Sequence, residues 1–220
     1  MITASDVLEI RPPAPAAALA AKAAAPPDVT GRVVAPAFRP AIATARLLLR
    51  PLRASDVADM VAGAGDLAVS RMLARVPHPY TEDHAATVIA ASLANAVAQR
   101  GIVFAITLAG RLIGQIGLNG IHWRNGMGYW LARPHWGKGY ATEAVGTVVA
   151  YAFEELDLPL VRAGVFADNP ASLHLLAKLG FRRVGIRNSR SLARNQRLEH
   201  IATVLTRRRF QSRRRADAVP

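Results

Sequence analysis

Residues 43–206 predict an α+β domain with a sheet of about six or seven strands. Three observations carry that expectation. Short apolar runs of strand composition recur along the chain, segments of helical period lie among them, and the two kinds follow one another without regular β-α alternation. Outside this domain, residues 1–42 are rich in Ala and Pro without a sustained period and read as a disordered arm. Residues 207–220 carry two Arg-Arg-Arg runs and read as a flexible tail.

In chain order, residues 47–51 form a first strand, closed by Pro51, which cannot donate to a ladder. Ser55 is placed to cap a helix to about Gly63, with Asp56 in its first turn near the positive end of the dipole. A short helix over 66–74 ends before Pro77-His78-Pro79, and Thr81 caps a longer one over 82–100. Residues 102–108 and 112–118 flank the turn Ala109-Gly110 and predict a hairpin. Residues 128–132 are the fourth strand, 141–156 a helix, 160–167 the fifth strand and 170–179 another helix. Residues 184–192 and 198–206 close the domain as an antiparallel pair.

The net charge of +13 is unevenly spread: +7 falls in residues 43–206 and +5 in the last fourteen. A positive domain suits a ligand bearing several phosphates. The tail reads either as a solvated segment of an Arg-biased chain, with 25 Arg against 3 Lys, or as a weak contact for RNA or ribosome phosphate. The chain has no cysteine, which excludes disulfides, thiolate metal sites and a cysteine nucleophile; no metal is expected. No run reaches the roughly 18 apolar residues of a membrane span, and the Ala-rich stretch 14–25 lacks a signal peptide's Leu-rich core. No membrane partner is expected, and a cytoplasmic location is.

The most informative segment is Trp136-Gly137-Lys138-Gly139-Tyr140-Ala141-Thr142-Glu143-Ala144, between a strand and a helix. Backbone N–H groups of such a loop and first helical turn lack partners, and the dipole places positive charge there. Gly137 and Gly139 permit close approach and positive φ, and Lys138 adds a cation. The spacing fits neither a P-loop nor a full dinucleotide fingerprint, but the order strand, glycine loop, helix predicts an anion cradle.

Four ordered blocks then give the chain a family likeness. They are Thr44-Ala45-Arg46-Leu47-Leu48-Leu49-Arg50-Pro51-Leu52, the strand Gly128-Tyr129-Trp130-Leu131, the loop just quoted, and Asn169-Pro170-Ala171-Ser172 with Lys178-Leu179-Gly180-Phe181. With them the chain resembles the GNAT superfamily of acyl-CoA-dependent N-acetyltransferases, and within it the branch that acetylates ribosomal-protein N-termini. The resemblance covers roughly residues 43 to 206. It implies a central mixed, mostly antiparallel sheet with helices on both faces, splayed between the fourth and fifth strands, and acetyl-CoA as cosubstrate. Pantetheine would bond the backbone of Trp130, Leu131 and Ala132, and the pyrophosphate would lie on Gly137, Lys138, Gly139, Tyr140, Ala141 and Thr142, with Trp136 opening the loop.

For the chemistry, the resemblance makes the Ser172 hydroxyl the candidate proton donor to the departing thiolate; Leu176 stands where many members have a tyrosine. Asn169 before Pro170 is either an N-cap, a cofactor or substrate contact, or both. A general base is not evident. His122, Glu143, and one of the alternating pair Glu199 and His200 are the residues to weigh, and an N-terminal amine, with a pKa of about 8 against roughly 10.4 for lysine, needs little help. Gly126-Met127 replace the acidic residue that the branch often carries before its Gly-Tyr-Trp-Leu strand. The acceptor is accordingly expected to be a protein N-terminus, with a small amine (polyamine, amino acid or aminoglycoside) as alternative. A non-catalytic acyl-CoA-binding regulatory module is the further alternative.

Overall fold

The computed structural model describes residues 41–121 and 126–217. The arm expected over residues 1–42 lies outside them as far as residue 40; Ile42 and Ala43 already form a two-residue strand, β1. Then come β2 (Leu48–Pro51), α1 (Val57–Ala64), α2 (Leu67–Ser70), α3 (Glu82–Val97), β3 (Gly101–Leu108), β4 (Arg111–Asn119) and β5 (Gly126–Leu131). After β5 follow α4 (Tyr140–Glu154), β6 (Leu160–Phe166), α5 (Pro170–Lys178), β7 (Arg182–Ser191), β8 (Gln196–Thr206) and α6 (Arg207–Asp217). The eight strands form one sheet in the order β1-β2-β3-β4-β5-β6-β8-β7, larger than expected by the short β1.

Every pairing in this sheet is antiparallel except that of β5 with β6, the two strands joined through α4. A parallel neighbour needs such a crossover, and the helix packs back onto one face. On that face Phe104, Ile106, Ile116 and Leu118 of the sheet meet Val145, Val148 and Val149 of α4 in the main core. On the other face Ala105, Leu112 and Trp130 meet Met60 and Ala64 of α1 and Ala85 of α3. Burial of alternate residues on both sides is what makes β3 and β4 read as near-continuous apolar runs rather than alternating ones.

Local chemistry moves several predicted boundaries. Asp56, not Ser55, secures the start of α1: its carboxylate accepts from the Arg53 N–H at 2.8 Å and takes both ends of the Arg50 guanidinium at 2.7 and 2.8 Å, while Ser55 is exposed. A buried bidentate pair organises the chain here more firmly than a serine cap. Asp66 caps α2 by accepting from the Ala68 N–H at 2.8 Å. That helix stops at Ser70 because Met72 and Leu73 turn their N–H groups to Val69 and Ser70, three residues back. Thr81 caps α3 reciprocally with His84, as the Ser/Thr-x-x motif allows. Ala109 and Gly110 both have positive φ (47° and 81°), the conformation that a two-residue hairpin turn requires.

The Arg-rich end differs from the flexible tail expected. Residues 207–217 are helical, and α6 is held to the domain by contacts that composition does not reveal. Phe210 packs on Phe153 of α4, with ring centroids 5.1 Å apart. Arg209 and Arg213 donate to the carbonyls of Gly180 and Lys178 at the end of α5, Arg207 reaches Asp157 and the Leu158 carbonyl, and Arg214 pairs with Glu154. No helix among the described residues is long and apolar enough to cross a membrane.

Candidate active site

The sheet opens between β5 and β6. Their parallel pairing is confined to Gly126 with Arg162 and Met127 with Ala163; beyond that point Gly128–131 and 164–166 face a gap. β6 stays paired with β8 along its whole length, so the gap is bounded by two well-anchored limbs. This is the splay that the resemblance implies between the fourth and fifth predicted strands.

The strand edge turned to this gap follows from alternation. The Ala132 N–H donates to the Ile113 carbonyl at 2.9 Å, and the β4–β5 register then turns the backbone groups of Trp130 and Gly128 to β4 as well. The groups facing the gap are those of Tyr129 and Leu131. The expectation that Trp130, Leu131 and Ala132 all have backbone groups turned to the gap is therefore corrected: those of Leu131 and Tyr129 are, and those of Trp130 and Ala132 are committed to the ladder. Trp130 places its indole in the core against α1. Trp136, half-exposed, donates its indole N–H to the Leu131 carbonyl at 2.7 Å, so it shapes the mouth of the gap and leaves the Leu131 N–H for a ligand.

Beyond Leu131 a single 3-10 turn, Arg133–His135, leads into the glycine loop. Gly137 and Gly139 have φ of 72° and 80°, and Gly139 is the N-cap of α4. A Cβ added at Gly137 would meet nothing within 4 Å, so the space beside this residue is open. Gly137, Lys138 and Gly139 are exposed, and Tyr140, Ala141 and Thr142 occupy the first helical turn, whose N–H groups have no partner within the helix. Left-handed glycines followed by a helix start make a cradle of N–H groups that fits a phosphate.

The loop is braced by a residue that sequence reasoning did not place in the site. Arg46 donates from Nε to Glu143 at 2.7 Å and from Nη1 to the Lys138 carbonyl at 2.9 Å, and its guanidinium lies 4.5 Å from the Tyr140 ring centroid. Glu143 also accepts from the Thr44 hydroxyl and the Arg46 N–H. Burial would raise the Glu143 pKa, but these hydrogen bonds and the Arg46 charge prevail and hold it below the usual range. A carboxylate so occupied is a brace and not a base. Arg46 stands in the Thr-x-Arg-Leu block, and only its position in the sequence signalled it.

Across the gap, Asn169 caps α5: its side-chain oxygen accepts from the Ser172 N–H at 3.1 Å, which leaves the NH2 end of the amide for another partner. Ser172 comes within 2.6 Å of the Tyr129 hydroxyl, so a residue of β5 and one of the helix after β6 bridge the two limbs. Tyr129 was also missed, although it stands in the Gly-Tyr-Trp-Leu block. Burial raises its pKa, against the smaller opposing effect of the Ser172 hydrogen bond. Ser172 is therefore one member of a hydroxyl pair rather than a lone donor.

Of the residues weighed as base, His122 lies outside the described residues. Glu199 is exposed and His200 buried, 7% accessible, as the alternation on β8 requires of one of them. The His200 ring stacks edge-on against Phe166 with centroids 5.2 Å apart and covers Gly164, where an added Cβ would lie 2.1 Å from it. Burial, then the Arg187 charge, push its pKa down to about 4, so it is neutral near pH 7. Asp168 is held below its usual range first by the hydrogen bond from Arg194, which also lies 4.8 Å from the centroid of Phe166.

Residues 46–182 match a family model described as an acetyltransferase (GNAT) domain. The Bacillus subtilis (strain 168) protein YoaA, described as an uncharacterized N-acetyltransferase, is 33% identical over 152 residues, spanning 67% of this chain and 85% of that relative. In three dimensions the chain is similar to Mycobacterium smegmatis RimJ in complex with CoA-disulfide, with a TM-score of 0.65 and 22% identity over 77% of this chain and 90% of that one. It is also similar to a spermidine N-acetyltransferase from Vibrio cholerae in complex with CoA and spermine, with a TM-score of 0.65 and 20% identity over 76% and 98% of the two chains. At these identities the two structural likenesses speak for the fold alone.

Proposed function

The chain belongs to the acetyltransferase (GNAT) family and is an N-acetyltransferase; from that premise we propose that it acetylates a protein N-terminal α-amine directly from acetyl-CoA. In this reading the pyrophosphate rests on Gly137–142 and the pantetheine arm follows the open edge of Tyr129 and Leu131. The thioester reaches the gap near Ser172, and the acceptor approaches from the sheet face away from α4.

The observation that carries the choice of acceptor is the charge on that face. By register, Arg162 and Arg187 lie on it with Gly164 and His200. Asp168, in the turn between β6 and α5, is paired with Arg194. A polycation needs free carboxylates at its site, whereas a single amine does not. With a pKa of about 8, an α-amine has a sizeable neutral fraction near pH 7 and loses its proton to water without a dedicated base. Attack on the thioester carbonyl then proceeds without a covalent enzyme intermediate, and Ser172 supplies the proton for sulfur.

The test is thiol release from acetyl-CoA with a panel of acceptors. Turnover on peptides beginning with Ser or Ala, with little on spermidine, is the expected result. Turnover confined to spermidine, amino acids or aminoglycosides would replace the peptide acceptor with a small amine. Binding of acetyl-CoA without turnover on any amine would favour a regulatory module.

A further inference from the structure

We propose that Tyr129 is the positioning residue for proton delivery to the leaving thiolate, acting through the hydrogen bond that joins its hydroxyl to Ser172 across the gap. The proposal rests on the acyl-transfer reading above and adds a residue and a direction of proton flow to it.

Three features of the pair support it. The contact is short, 2.6 Å, and joins opposite limbs of the opening, so the two hydroxyls sit where both walls of the cleft meet. Each is held from behind. Tyr129 is fixed in β5 opposite Ile116, and Ser172 is fixed in the first turn of α5, where its N–H is capped by Asn169. The two hydroxyls also differ in acidity. A phenol is far more acidic than an aliphatic alcohol, so the phenol donates and the serine oxygen accepts. The Ser172 hydrogen is thereby turned away from Tyr129 and left for a third atom. Burial raises the phenol's pKa, which keeps it protonated and in the donor role through the neutral range.

The step then balances as follows. The neutral amine nitrogen forms a bond to the thioester carbon, and the C–S bond breaks with its electron pair leaving on sulfur. Sulfur takes the Ser172 proton, and Ser172 takes the Tyr129 proton. The phenolate is restored by the proton that the nitrogen sheds on becoming an amide, carried by solvent. No group outside the two substrates and these two side chains is consumed.

The experiment compares Tyr129→Phe, Ser172→Ala and the double variant of the full chain. It measures kcat and KM for acetyl-CoA with an accepted amine, acetyl-CoA affinity by calorimetry, and Tm. Phe keeps the ring and removes only the oxygen. Tyr129→Phe is expected to lower kcat about tenfold, a fraction of what acid–base assistance supplies, with KM and affinity within about twofold. The double variant should lose no more than Ser172→Ala alone, because Tyr129 acts only through the serine. Wild-type kcat in Tyr129→Phe, or losses that multiply in the double variant, would overturn the proposal. So would full kcat in Ser172→Ala, since Tyr129 would then have nothing to position; acyl transfer itself would stand in that case because turnover persists.

Discussion

His200 shows how one buried side chain couples this site to pH. Its Nδ1 is buried without a hydrogen-bond partner among the described residues, and its ring fills the space left by Gly164 beside Phe166. The folded protein holds it neutral until about pH 4, whereas in the unfolded chain it protonates near 6.5. As pH falls from 6.5 to 4 the unfolded state therefore takes up a proton that the folded state refuses, and stability is lost across that window, on the order of 2–3 kcal/mol in all. His200→Phe keeps an aromatic ring against Phe166 and removes the titration. Between pH 7 and pH 4.5 the Tm of this variant should fall by on the order of 5–10 °C less than that of the parent, measured by thermal melts at fixed ionic strength. Parallel curves would mean that His200 is hydrated enough to protonate in place.

At the scale of elements, the proposed function assigns the cosubstrate's phosphates to the strand–loop–helix from β5 to α4, and Gly139 is where that assignment is most directly tested. The left-handed φ of 80° is one that Asp tolerates better than most residues. Gly139→Asp should therefore leave Tm within a few degrees of the parent. A Cβ at this position would lie 3.2 Å from Arg46 Nη2, so the new carboxylate would compete for the guanidinium that braces the loop and bring negative charge beside the phosphate cradle, and acetyl-CoA affinity should fall by roughly tenfold or more, about 1.4 kcal/mol upward. A calorimetric titration reads the second effect and a melt the first. An unchanged affinity would remove the loop from the phosphate site. Arg46 belongs to this element although it lies 93 residues before Gly139, because its guanidinium ties the Lys138 carbonyl to Glu143. Only its place in the Thr-x-Arg-Leu block hinted at that role.

For the molecule as a whole, the +7 of residues 43–206 should draw in a polyanionic cosubstrate, so acetyl-CoA affinity should weaken several-fold as salt rises from about 0.05 to 0.5 M. Titrations across that range check it, and a salt-independent constant would restrict the electrostatics to the cradle. Much of this architecture was readable beforehand. The α+β class, the hairpin at Ala109-Gly110, the cap at Asn169, the glycine loop and the acetyltransferase resemblance all depend on chemistry within a few residues, which spacing and residue type express directly. What the linear order could not express is contact between segments far apart. That Tyr129 meets Ser172, that Arg46 braces the loop, that α6 lies on Phe153 instead of extending as a tail, and that Tyr129 and Leu131 rather than Trp130 and Ala132 face the opening were decided by packing. Sequence alone determined the family and the glycine-led start of α4, because unpaired N–H groups at such a helix start are a local property. The hydroxyl pair and the open strand edge were decided by tertiary structure, because ladder register and the divergence of β5 from β6 arise only when the whole sheet assembles.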